Sequence, residues 1–146
     1  FDEAKFVQLD PNHLLTKIHL DKPAEIKPEK TWLTLGVSSA QEERSFKYNL
    51  EVISEKTLSA ESGWLSDIPS RTEYILGLSP KAIKEFTQLQ EFMKSASPTG
   101  FDLHVSTGFK ESGRELNTVT MSIFLKLYAN EDYFTLFDRA ALDIEK

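Results

Sequence analysis

Apolar and polar positions alternate with period two along most of this chain. Leu14, Thr16, Ile18 and Leu20 alternate with Leu15, Lys17, His19 and Asp21. That spacing predicts a strand with one face turned to a core. Leu33, Leu35 and Val37 alternate with Trp32, Thr34 and Ser38, and Phe46, Tyr48, Leu50 and Val52 with Lys47, Asn49 and Glu51. Tyr74, Leu76 and Leu78 make a shorter run. Phe101, Leu103 and Val105 alternate with Asp102, His104 and Ser106. The longest row is Val119, Met121, Ile123, Leu125 and Leu127, which predicts a strand interior to the sheet. Beyond a turn at Asn130-Glu131-Asp132, residues 133–145 return as a hairpin partner. There Phe134, Leu136, Leu142 and Ile144 share a parity that Asp138 interrupts, so a bulge or break is expected near 137–139.

One stretch changes period. Ser79-Pro80 is an N-cap followed by a proline in the first turn. Ala82, Phe86, Leu89, Met93 and Ala96 then recur every three or four residues, flanked by Ile83 and Phe92. This predicts an amphipathic helix over about 80–96 with Lys84, Gln88 and Glu91 in water. Ser97-Pro98-Thr99-Gly100 stops it. Residues 22–30 carry Pro23 and Pro28 among charges and suggest a solvated loop, and residues 110–114 a turn. The sum is one domain over 1–146: a mostly-β antiparallel sandwich, Ig-like or transthyretin-like, with seven to eight strands and one inserted helix. A half-barrel wrapped on the helix is the runner-up.

Composition narrows the function classes. A chain of 146 residues has enough core to fold without a metal or a disulfide. Ten phenylalanines point to a core built on rings. The net charge of −6, with no basic stripe, argues against nucleic acid and anionic lipid as partners. The absence of cysteine excludes thiolate zinc sites and cysteine nucleophiles. No run of 18 apolar residues exists to span a membrane. The chain begins with Phe1, which fits removal of a signal or pro-segment, so a periplasmic, envelope or extracellular setting is the expectation, with a lipoprotein domain lacking its anchor as one form of it.

No catalytic motif stands out. His13, His19 and His104 lack the spacing of a zinc motif. Asp102, His104 and Ser106 share one side of a strand, but Ser106 lies on no nucleophile elbow, and alternation alone explains the row. The carboxylates are scattered, and the glycines form no phosphate loop. Trp32, on the less buried parity of its strand, and Trp64, in the loop Ser62-Gly63-Trp64-Leu65, are the candidate ligand- or partner-binding residues. The stretch 119–138, VTMSIFLKLYANEDYFTLFD, resembles the strand and Phe-rich loop of type VI secretion lipoproteins, which are one-domain β-sandwiches with an added helix. It covers about a seventh of the chain, at the opposite end and with a shorter loop, so no residue role is carried over. The expectation is a non-enzymatic module that binds another protein and needs no cofactor. A carbohydrate- or small-ligand-binding module is the alternative, and a hydrolase at Asp102-His104-Ser106 a distant one.

Overall fold

The computed structural model describes residues 3–64, 67–96, 98–110 and 117–143. The elements are α1 (Glu3–Gln8), β1 (Leu15–Asp21), β2 (Ile26–Ser38), β3 (Glu43–Leu58), β4 (Glu61–Ser62), β5 (Asp67–Ile68), β6 (Arg71–Leu78), α2 (Pro80–Met93), β7 (Gly100–Phe109), β8 (Thr118–Lys126) and β9 (Phe134–Asp143). Seven strands form one antiparallel sheet in the order β7-β2-β3-β6-β1-β8-β9, and β4 pairs with β5 in a small hairpin. The fold is mostly β and sandwich-like, as the alternation predicts.

The long strand β3 makes the sandwich from one sheet. Its first half, to Asn49, pairs with β2; its second half, from Leu50 to Leu58, pairs with β6. A register shift between Val52 and Ser54 marks the corner. A bulge there bends the strand and lets it pass from one layer to the other. The alternating rows meet between the layers: Ile18, Leu20, Leu33, Leu35, Leu76, Ile123 and Leu125 are fully buried. Leu127, the last of its row, is only half-buried and lies just past β8. The β8 strand itself lies between β1 and β9, one in from the edge.

Helix α2 packs against β3 and β6. Ser79 caps it, its Oγ accepting from the Ala82 N–H at 3.1 Å, and Pro80 occupies the first turn. Ala82, Phe86, Leu89 and Met93 are buried, while Lys84, Gln88 and Glu91 face water. The helix ends at Met93, a turn short of the 80–96 expected, and single-turn hydrogen bonds carry the chain on to Ala96.

Three sequence expectations change in detail. The short helix α1 adds a second helix. It is too brief to show a period, yet it buries Phe6 against Phe86 and Phe101. The loop expected at 22–30 shrinks to 22–25, because β2 already pairs at Ile26↔Phe109 and Lys27↔Gly108. Pro28 is tolerated because the register breaks between Lys27 and Trp32, where no ladder bond is asked of it. Thr31 closes that break, its Oγ1 donating to the Lys27 carbonyl at 2.8 Å. In β9 the break near 137–139 is present: Met121 faces Ala140 and Ile123 faces Phe137, so Asp138 and Arg139 together oppose Ser122. A second shift beside Leu136 puts Phe134, Phe137 and Leu142, rather than Leu136, opposite the inward row of β8. Ile144, Leu65, Ser97 and residues 111–114 lie outside the described residues.

Candidate functional site

Trp64 stands at the tip of the β4–β5 hairpin with 93% of its surface exposed. The base of the hairpin is fastened: an Arg71 guanidinium N–H donates to Glu61 Oε2 at 3.1 Å, and Ser70 Oγ donates to the Leu58 carbonyl. Arg71 and Glu73 reach the outer face because β6 turns its other parity, Thr72, Tyr74 and Leu76, into the core.

Behind the hairpin the outer face of β6 and β1 carries a continuous network. His19 Nδ1 lies 3.4 Å from Arg71 NH1, and its Nε2 lies 2.8 Å from Glu73 Oε2. Lys56 places its ammonium 3.5 Å from Glu73. Burial pushes the Glu73 carboxyl up, but the His19 hydrogen bond and the Lys56, His19 and Lys17 charges outweigh it, and the net shift is downward. Lys17 stands over the Tyr133 ring at 4.2 Å and over Phe124 at 5.2 Å, and His19 meets Phe124 edge-on. The network orients side chains; it offers no nucleophile beside a base.

Trp32 lies on the outer face of the other layer, half-buried, opposite Asn49 of β3 and Ser106 of β7. Lys47 approaches its ring at 5.9 Å. From Asn49 to Leu58, where the Trp64 hairpin begins, β3 runs roughly 30 Å at the usual strand rise. The two tryptophans therefore belong to different surfaces.

The Asp102-His104-Ser106 row also stays on the outer face. His104 Nε2 lies 2.6 Å from Asp102 Oδ2, both exposed. A triad needs the carboxylate on one ring nitrogen and the serine on the other. Among the described residues Ser106 makes no hydrogen bond to His104, and no third group orients the pair. The Asp102 carboxylate instead lies over Gly36, in the space a Cβ would fill. Among the described residues no group of three or more His, Asp or Glu is arranged to hold a metal, and no helix is long and apolar enough to cross a membrane.

Two clefts have apolar side chains in their walls and bear on binding. A shallow one of about 190 Å³ lies between the end of α2 and the β2–β3 hairpin, where Phe92, 58% exposed, faces Phe46 and Arg44. Its position off the buried stripe of α2 was visible in the helical spacing. A larger one, about 620 Å³, lies between β7 and β9 and is lined by Val105, Phe109, Met121, Phe137 and Leu142 with Lys27, Lys30 and Asp143 at its side. Sequence alternation places Val105, Met121 and Leu142 inward, but it puts Leu136 rather than Phe137 on that face and does not reveal that two strand edges leave the lining open. Neither tryptophan lines any of these clefts. No protein-family model, curated protein or solved structure matches the chain.

Proposed function

We propose that this chain is a non-enzymatic β-sandwich module that docks on another protein outside the cytoplasm, in the periplasm or cell envelope. The observation that carries the docking is the 93% exposure of Trp64 on a hairpin whose base Arg71 and Glu61 hold. A ring of this size in water forgoes a burial worth on the order of a few kcal/mol, which a partner pocket would recover. A tryptophan presented on a fixed support loses little further freedom on binding, the usual anatomy of an interface anchor. The carbohydrate reading has less support, since Trp32 is half-buried and lines neither apolar cleft.

The test is a photo-crosslinking residue in place of Trp64 in the full-length protein, in cells that make it. One dominant protein adduct is expected. Trp64→Ala should then weaken binding to that purified partner by about tenfold or more while leaving thermal unfolding unchanged. Unchanged affinity, or adducts to glycan alone, would overturn the reading. Recovery of the full-length protein in the cytosolic fraction would overturn the proposed setting.

A further inference from the structure

We propose that the cleft between β7 and β9 is a strand-acceptor site, in which an extended segment of the partner protein adds to the free edge of β7. The proposal rests on the docking reading above and names the chemistry of what docks.

The sheet has two edges, β7 and β9, and the curl brings both to the wall of one cleft. Each edge strand uses one side of its backbone on its neighbour, β2 or β8. On the other side, among the described residues, no strand pairs with either, so alternate N–H and carbonyl groups there lie outside the ladder. The side chains show the same opening. On interior strands the inward residues Leu35, Ile18 and Ile123 are fully buried. On the edges the inward residues Leu103, Val105, Phe137 and Leu142 are half-open. Among the described residues the core is therefore unfinished along one seam, where both the hydrogen-bonding row and the apolar row of a strand are missing.

An extended peptide satisfies both rows at once: its backbone continues the ladder and alternate side chains enter the cleft. The two edges are not equivalent. β9 is broken twice in register, with Asp138 and Arg139 pinned opposite Ser122. β7 pairs without a shift from Gly100 to Ser106, and at the cleft, where the register to β2 shifts, the extra residues 28–31 belong to β2 while β7 runs on unbroken to Phe109. Charge adds a preference. Lys27 and Lys30 line the cleft and outnumber its one carboxylate, Asp143, two to one. They favour a segment with acidic side chains among its apolar ones. A second copy of this chain fits less well, because its own edge would bring a second Lys27 and Lys30 toward these two.

The experiment pans a phage library of random peptides on the folded protein and counter-selects on Val105→Glu. Val105 is half-open on β7, so the variant should keep its fold. The expected winners alternate apolar residues at every second position and carry acidic ones between. Their synthetic forms should lose about tenfold or more in affinity on N-methylation of alternate amides, and on Lys27→Glu/Lys30→Glu. Alternate amides of β7 should become protected from hydrogen exchange on binding. No enrichment over the Val105→Glu surface, or indifference to N-methylation, would overturn the proposal. So would β7 protection that appears without peptide and grows with protein concentration, the mark of a second copy. Peptides that bind Val105→Glu normally but fail on Trp64→Ala would sink the strand-acceptor site and leave the docking reading standing.

Discussion

Thr16 is the one inward residue of β1 that is not apolar. It is fully buried between Leu14 and Ile18, and its Oγ1 has no hydrogen-bond partner. A hydroxyl stranded in a core costs about 1–3 kcal/mol relative to one that is satisfied. Valine has nearly the same shape without the oxygen. Thr16→Val is therefore expected to raise stability by about 1–2 kcal/mol, read as a higher denaturation midpoint at unchanged slope; a loss would show that the hydroxyl has found a partner in solution. Glu73 gives the complementary case, a polar group that the fold favours. Its carboxyl is held below its ordinary 4.5 despite burial, by His19 and the lysines around it. A carboxylate with a lowered folded pKa contributes stability that is complete above the ordinary value and is lost as pH falls through the folded one. The gap in melting temperature between the native protein and Glu73→Gln should be widest near neutral pH and close as the pH drops below about 4.5. A gap that widens in acid would reverse the assignment.

Elements differ in how far the chain's own pattern announces them. A strand with one buried face writes its parity into five or more residues, so β1, β8 and the inner half of β2 are plain from the sequence. Helix α2 is equally plain, with a cap, a proline and a stripe over 14 residues. Helix α1, at six residues, completes fewer than two turns and shows no period. Besides the packing of Phe6, distant side chains hold it: Tyr128 donates to the Lys5 carbonyl, and Gln90 of α2, buried, donates to the Phe6 and Leu9 carbonyls at 2.9 and 2.6 Å. Such a contact, 84 residues away in sequence, leaves no local signal. Gln90→Ala would take its donor from the buried Leu9 carbonyl and leave the Phe6 carbonyl the Leu9 N–H, at a cost of about 1–3 kcal/mol. Amides of α1 should then exchange faster while those of β1 and β8 keep their protection in proportion to global stability. Uniform loosening of all three would mean that α1 is not a separately attached element. The same limit applies to β9. The interruption at Asp138 is visible in the sequence, but the two shifts that exchange Leu136 for Phe137 depend on Ser122 bonding Asp138 and Arg139 from the neighbouring strand.

At the scale of the whole molecule, one sheet is folded on itself at the β3 corner and left open where β7 and β9 face each other. Open edges invite pairing with further copies, and proteins that keep them guard them with charge and with bulges. Both guards are present. Arg139, held in the left-handed region at φ 49°, bonds both oxygens of Asp21 and fixes the bulge that breaks the β9 edge. On the β7 side Lys27 and Lys30 place two cations beside the apolar lining. Two half-buried rows of apolar side chains without those charges would resemble the exposed flat edge that aggregates. The lysines are expected to keep the free protein from pairing edge to edge while attracting an acidic segment, so one feature serves both tasks. Replacing them in Lys27→Leu/Lys30→Leu should leave the unfolding midpoint nearly unchanged, because both side chains sit at the cleft wall rather than in the core. Sedimentation velocity across a wide concentration range should show this variant associating where the native protein does not. Added salt should push the native protein toward the same behaviour by screening the lysines. A variant that sediments like the native protein at every concentration and salt would mean that the geometry of the cleft alone, and not its charge, protects the edge.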